Sequence, residues 1–292
     1  MALFDQRFLL KLERLHFVAR SVFTGHHHAL SPSRKLGQGM EFADHRDYTA
    51  GDDLRQLDWN LYARAGRLFT KLYHVEEDQT VYFLLDVSAS MTASPQKFDY
   101  ARRLCAALGF IALANLDRVT VVPFADEVGT PIKDLRGKRQ IHRLLTYLED
   151  LTTRAAVAPT AFAPVARGFV ARFRERGIAI AVSDFLDPKG PEGLDPITSA
   201  RFDLTLLHLM TPDEMEPPWR GHVTLEDAET GRKKRTQLTR GLIRAYRKEW
   251  DRHLRRVRAY ALRRRAFYAE VRTDADFDDV VLSSLRRSGI LA

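Results

Sequence analysis

From Thr80 onward, short and wholly apolar runs alternate with amphipathic stretches of helical length, and this alternation constrains the fold more than any other feature of the chain. VYFLLD (81–86) is followed by KFDYARRLCAALGFIALANL (97–116), and RVTVVPFAD (118–126) by GKRQIHRLLTYLEDL (137–151). AFAPVARGFVARFRERG (161–177) precedes IAIAVSDF (178–185); RFDLTLLHLM (201–210) is a further strand, and RAFYAEVRT (265–273) with DFDDVVLSSLRRSG (276–289) closes the series. A strand that is apolar at every position buries both faces, so helices must cover the sheet on both sides. The expected fold is α/β: a doubly wound, mostly parallel sheet. A chain of 292 residues is long enough to bury such a core.

Other parts break the rhythm. Residues 211–238 carry the turn residues ETGR between alternating runs, which predicts a β-hairpin, and 239–265 reads as a helix with Ile243, Tyr246, Trp250, Leu254, Val257 and Ala261 on one face. The first 35 residues begin as a helix (Leu9, Leu10, Leu12, Leu15, Phe17 and Val18 between charges) and pass into the loop TGHHHALSPSRKLGQG. Three consecutive histidines, His26 to His28, rarely face one point and read as a solvated loop. Residues 41–78 are dense in charged and aromatic side chains; within them RLFTKLYHV alternates as a strand does. Arg46, Asp52, Asp53, Arg55 and Asp58 are expected to form ion pairs fixing this block to the α/β domain, with Gly51 in a turn and Trp59 and Tyr62 at a packed interface. The boundaries are 1–79 for an N-terminal segment and 80–292 for the α/β domain, with a hairpin insertion at about 213–238. Block and hairpin are expected to form a small β-containing accessory lobe.

The single cysteine, Cys105, excludes a disulfide framework and lies in an apolar stretch that predicts an inert, buried thiol. The N-terminus lacks a continuous apolar secretory segment, and the longest apolar run, around 104–114, falls short of the roughly 20 residues a membrane span needs. A cytoplasmic protein without an integral membrane segment is expected. The formal charge of +8 is concentrated: Arg232 to Arg265 hold fifteen Lys/Arg against two acids, which leaves the remainder net acidic.

The strand VYFLLD ends in Asp86, and Ser88 and Ser90 follow at alternate positions. In open parallel sheets ligands collect beyond the carboxyl ends of strands. One carboxylate and two hydroxyls offer hard oxygen, which suits Mg²⁺ with about six ligands near 2.0–2.1 Å and suits Zn²⁺ poorly. IAIAVSD repeats the device with Asp184, and Thr160 precedes a helix, where its hydroxyl either caps the helix or reaches the metal. The bland alternative is that all these groups cap helices and bind no ion. Mn²⁺ or Ca²⁺ would meet the same ligands.

This arrangement of Asp86, Ser88, Ser90, Thr160 and Asp184 resembles the metal-ion-dependent adhesion site of von Willebrand factor A domains. The upstream stretch GQGMEFADHRDYTAGDDLRQLDWNLYARAGRLFTKLY resembles the signature of the bacterial "domain of unknown function 58" family, in which it precedes such a domain. The resemblance covers roughly residues 37–292. It implies a von Willebrand A-like fold and association with a MoxR-type AAA+ ATPase, and no known reaction. Longer family members carry an N-terminal pair of membrane helices that this sequence does not show. Family members often have Gly-Gly-Thr-Asp where this chain has Ala158-Pro159-Thr160-Ala161, so Thr160 departs most from the pattern.

With two carboxylates at most on a divalent ion, the metal stays electrophilic and can take an acidic side chain from a partner protein. The expected function is therefore a Mg²⁺-dependent protein-binding module, an adaptor or scaffold and not an enzyme, acting with the ATPase in assembly or maturation of a partner. A metal-dependent hydrolase or phosphatase is the alternative from another class. It would want a base or activated nucleophile, and no His, Lys or Cys lies beside the three loops in sequence. Binding of nucleic acid through the basic helix 239–265 is the third, and no helix-turn-helix, zinc-finger or RNP-type motif supports it. Sequence leaves the oligomeric state unknown.

Overall fold

The computed structural model describes residues 3–23, 36–37, 41–49, 52–74, 79–154 and 159–288. In chain order the helices are α1 (Gln6–Phe23), α2 (Trp59–Ala65), α3 (Ala89–Thr92), α4 (Pro95–Ala114), α5 (Ile141–Arg154), α6 (Phe162–Arg172), α7 (Asp195–Ser199), α8 (Pro212–Met215), α9 (Arg240–Arg264) and α10 (Phe277–Ser288). The strands are β1 (Leu36–Gly37), β2 (Glu41–Asp47), β3 (Phe69–His74), β4 (Thr80–Asp86), β5 (Arg118–Phe124), β6 (Ile132–Arg136), β7 (Ile178–Ser183), β8 (Asp203–Met210), β9 (Gly221–Glu226), β10 (Lys233–Leu238) and β11 (Phe267–Arg272). Two compact units result: residues 1–24 with 79–292, and residues 25–78.

The larger unit holds a six-stranded sheet in the order β11-β8-β7-β4-β5-β6, parallel except where β6 runs antiparallel to β5. Every residue of β4 is buried, as a wholly apolar run in a central strand requires. Val81, Phe83 and Leu85 belong to a core with residues of α1, α4, α5 and α10; Tyr82 and Leu84 belong to a second with α6, α7 and α9. Helices thus cover both faces of a mixed α/β architecture, and α1 contributes Phe8, Leu12 and Leu15 to the first core. Cys105 is buried in that core, and burial pushes its thiol pKa up, which keeps it inert. The hairpin β9–β10 is antiparallel, turns at Asp227–Arg232 and lies in this same unit.

From the central β4 the chain first adds β5 and β6 on one side, then crosses to β7, β8 and β11 on the other. The carboxyl ends of β4 and β7 therefore flank the topological switch point, where open sheets leave a crevice. Close packing of these two strands depends on Gly177, just before β7: a Cβ there would lie 2.0 Å from the Thr80 carbonyl oxygen. Gly177→Ala is expected to lower stability by about 1–3 kcal/mol, as overpacking does. Thermal unfolding checks this, and an unchanged midpoint would mean that the β4–β7 seam yields freely.

The smaller unit pairs its strands in the order β1-β3-β2, antiparallel, with a bulge between Phe42 and Asp44. Asp58 caps α2 by accepting from the N–H groups of Asn60 and Leu61 at 3.0 Å, and Gly66 ends it at φ +62°. The charged block is spent largely within this unit. Arg46 pairs with Asp52 at 2.6 Å, His45 and Lys71 reach Asp58 at 2.9 and 3.6 Å, and Asp53 accepts from the Arg55 N–H. The His45 hydrogen bond and the Leu61 N–H hold Asp58 at about 2, below the usual carboxylate range. Trp59 and Tyr62 are 61% and 44% exposed and meet edge to face. Gly51 and His26 to His28 lie outside the described residues.

Candidate metal site at the ends of β4 and β7

Asp86, the last residue of β4, is fully buried at the switch point. Its Oδ1 accepts from the Ser88 N–H at 2.9 Å, which turns the loop after the strand. Its Oδ2 accepts from the Ser183 hydroxyl at 2.5 Å and the Thr160 hydroxyl at 3.3 Å. The Ser88 and Ser90 hydroxyls face each other at 3.2 Å. Asp184, immediately after β7, is also fully buried; its Oδ1 accepts from the Leu186 N–H, and the Ser90 hydroxyl helps keep it ionised. All five residues singled out from sequence therefore converge.

The capping alternative assigned these hydroxyls to helix ends, and the geometry spends them elsewhere. Ser88 occupies the N-cap position of α3 but makes no side-chain cap bond. Ala161 is the N-cap of α6, and the α6 residue Phe162 donates its N–H to Asp187 at 2.7 Å. Thr160 is thereby left to face Asp86.

Sequence reading missed what sits on Asp184. Lys97, in the first turn of α4, is wholly buried and donates to Asp184 Oδ2 at 2.7 Å and to Glu214 Oε1 at 2.6 Å. Chain folding thus brings to the site a lysine that does not lie beside its loops in sequence. A signal was present: Lys97 falls in register with Ala101, Leu104, Cys105 and Leu108 on the buried stripe of α4. Burial alone would lower the ammonium pKa, but Asp184 and Glu214 raise it above its ordinary value, so Lys97 stays charged. Glu214 is fixed by a capping box with Thr211.

The two carboxylates titrate apart. Burial, then the charge of Asp184, raises Asp86 to about 7. Burial opposes ionisation of Asp184 as well, but the Lys97 charge and hydrogen bond outweigh it and leave this carboxyl below its ordinary value. Behind Asp184, His253 donates Nε2–H to its carbonyl oxygen at 3.1 Å, and the His208 ring lies 5.1 Å away. Burial keeps both imidazoles neutral, His208 down to about 3. Phe185, buried directly after Asp184, adopts φ +56°. A bulky residue in the left-handed region costs on the order of 1–3 kcal/mol and is typical of functional sites.

The donor set fits a small hard cation. At metal–oxygen distances near 2.0–2.1 Å, neighbouring ligands of an octahedron stand about 3 Å apart. The Ser88–Ser90 and Thr160–Asp86 oxygen pairs, at 3.2 and 3.3 Å, are close to that edge. Among the described residues no cluster of three or more His, Cys, Asp or Glu side chains is placed to hold a metal, so a cation here depends on the hydroxyls.

The basic helix α9 buries Ile243, Trp250, Val257 and Ala261, while Tyr246 stays exposed. Much of its charge is answered within the fold: Arg256 and Arg263 pair with Glu192, Arg264 with Asp195, Arg258 with Glu270 and Arg247 with Glu216.

The sequence matches the family described as "Protein of unknown function DUF58" over residues 44–260. Uncharacterized proteins of Mycobacterium tuberculosis and Mycobacterium bovis are 27% identical over 213 residues, covering 72% of this chain. The chain spans 66% of the length of these curated relatives. Among solved structures, a conserved hypothetical protein BatB from Bacteroides thetaiotaomicron is 15% identical with a TM-score of 0.44. An aerotolerance-related membrane protein from Bacteroides fragilis is 18% identical with a TM-score of 0.44; each match covers 72% of this chain and 98% of the other. An uncharacterized membrane spanning protein from Vibrio fischeri is 13% identical, with a TM-score of 0.21, and the match covers 71% of this chain and 98% of that one. Two of these three proteins are described as membrane proteins, and the expectation of a cytoplasmic protein is withdrawn. Among the described residues no helix is long and apolar enough to cross a membrane.

Proposed function

Since the chain belongs to the family described as "Protein of unknown function DUF58", whose description assigns no activity, we propose a function from the site itself: a Mg²⁺-dependent protein-binding module of von Willebrand factor A type. Asp86, Ser88, Ser90 and Thr160 would hold the cation, with Asp184 beside it, directly or through water. One observation carries this reading: the hydroxyls of Ser88, Ser90 and Thr160 are turned onto one another and onto Asp86, and cap no helix. The bound cation would supply an electrophilic position for an acidic side chain of a partner, and Mn²⁺ or Ca²⁺ can stand in for Mg²⁺. By the family resemblance, a MoxR-type AAA+ ATPase is the partner to test, in assembly or maturation of a third protein.

A hydrolase finds little support here. Lys97 is a charged ammonium locked between two carboxylates, and His253 has its Nε2–H engaged by a carbonyl. Lys97, held charged, is no base, and His253 is bonded to the backbone of Asp184 and not to a side chain of the site.

The test is capture from native lysate with wild type and Asp86→Ala, each with Mg²⁺ or EDTA, read by mass spectrometry with circular dichroism as a folding control. An ATPase or acidic partner held only by the intact site with metal is the expected result. The same proteins in all four conditions would sink the reading.

A pH dependence follows. The cation needs Asp86 as carboxylate, and Asp86 stands at about 7 without it. Affinity for Mg²⁺ should therefore fall about tenfold per pH unit below 7 and level off above. Calorimetry in buffers of different ionisation enthalpy should detect release of about one proton at acidic pH and almost none at alkaline pH. Affinity independent of pH from about 6 to 8 would show that Asp86 does not gain its charge on binding.

A further inference from the structure

The hairpin β9–β10 has little reason of its own to hold a fixed place. Its strands are exposed along nearly their whole length, and an isolated two-stranded ribbon is marginally stable. Its tip, by contrast, is closely ordered. The Asp227 carboxylate accepts from the Glu229 and Thr230 N–H groups at 3.0 and 2.8 Å, and Gly231, at φ +67°, closes the turn. What this turn presents is Glu229. The Glu229 Oε1 accepts from the backbone N–H of Thr160 at 3.3 Å, across 69 residues of chain. The hydroxyl of that same Thr160 touches Asp86. Glu229 is half-buried at the tip of a ribbon that is otherwise exposed.

We propose that Glu229 is an internal acidic ligand of the site, an autoinhibitory contact in which the hairpin tip takes the place of a partner's carboxylate until the partner displaces it. The inference rests on the cation-binding reading above and adds to it a mechanism of control. It also gives the hairpin a purpose: an arm with few packing contacts can swing away at small cost, exchanging one internal carboxylate for an external one. Partner affinity would then be set by a difference between two similar contacts and not by the full strength of either.

Glu229→Gln tests this well, because glutamine keeps an oxygen acceptor for the Thr160 N–H and removes only the charge. The probe is Mn²⁺, followed by its free EPR signal for affinity and by water-proton relaxation for the number of exchangeable waters on the bound ion. In wild type the bound ion should lack the water that Glu229 replaces. The variant should gain relaxivity equivalent to one more water, and its Kd for Mn²⁺ should rise roughly tenfold, as loss of one charged ligand entails. Acetate at tens of millimolar should then lower relaxivity in the variant by refilling the vacated position, and should do so far less in wild type. Equal Kd, equal relaxivity and equal acetate response in the two proteins would overturn the proposal while leaving the cation site intact. Failure of wild type to bind Mn²⁺ at all would instead remove the cation-binding reading and this inference with it.

Discussion

Replacing Lys97 by methionine should lower the thermal unfolding midpoint, measured in chelator at neutral pH, by roughly 5–8 °C, corresponding to about 3–5 kcal/mol. Methionine keeps most of the aliphatic volume, so the loss is electrostatic and not a packing defect. Lys97 is wholly buried, as is Asp184, and Glu214 is largely so. Without the ammonium, one fully desolvated carboxylate and its neighbour have no counter-charge, which is the costly way to break a buried pair. The Asp184 carboxyl would respond by moving upward, because burial is its largest influence and Lys97 the chief opposing one. Its folded value would then exceed its unfolded value. The variant should accordingly be most stable in acid and lose stability as pH rises through the new folded value. Divalent cation supplies a different positive charge to the same carboxylates, so Mg²⁺ should stabilise Lys97→Met by more than it stabilises wild type. A variant as stable as wild type in chelator would show that the Lys97–Asp184–Glu214 triad contributes nothing to the fold. Equal and small Mg²⁺ effects in both proteins would show that no cation reaches Asp184.

How far the site could be read without coordinates follows from which of its parts are local. Asp86 and Asp184 each end an apolar run, and in a parallel sheet strand ends all emerge on one edge, so their meeting follows from local pattern plus topology. Ser88 and Ser90 travel with Asp86. Thr160 stands among flanking residues that depart from the family pattern, and its hydroxyl has a second use as a cap; Asp187, which takes the Phe162 N–H instead, releases it. Glu214 and Glu229 reach the site from 117 and 69 residues away in the chain, and no local periodicity encodes that. Lys97 lies between these cases. It occupies an apolar-stripe position of α4, where a lysine can sit only if something neutralises it. The edge strand β6 escaped because it is mostly exposed and has no apolar run to mark it.

The second large effect belongs to Asp86→Asn, which should abolish the response to Mg²⁺, weakening binding by about 100-fold or more, and yet raise stability in chelator. The first part follows from charge: the variant loses the carboxylate that the hydroxyls face, Asp184 is already paired with an ammonium, and an amide oxygen is a much poorer ligand for Mg²⁺. The second follows from the raised pKa of Asp86. A carboxyl at about 7 when folded and 3.8 when unfolded binds its proton more tightly in the native state. Its contribution therefore worsens as pH rises between those values and is fully unfavourable above the higher one. The penalty is on the order of 2–4 kcal/mol. Asparagine removes it while still accepting from the Ser88 N–H, and its amide can donate to the Ser183 and Thr160 hydroxyls once these rotate. Set against some loss of hydrogen-bond quality, a net gain of about 1–3 kcal/mol remains. In chelator the variant's unfolding midpoint should lie slightly below that of wild type near pH 4, rise past it as pH increases toward 7, and stay above it beyond. A difference that is constant with pH would show that Asp86 is not the group responsible, and retained Mg²⁺ binding would remove Asp86 from the ligand set. Both outcomes expected together would mean that a buried charge is kept at a cost to the fold because a cation is there to relieve it, which a purely structural aspartate gives no reason to preserve.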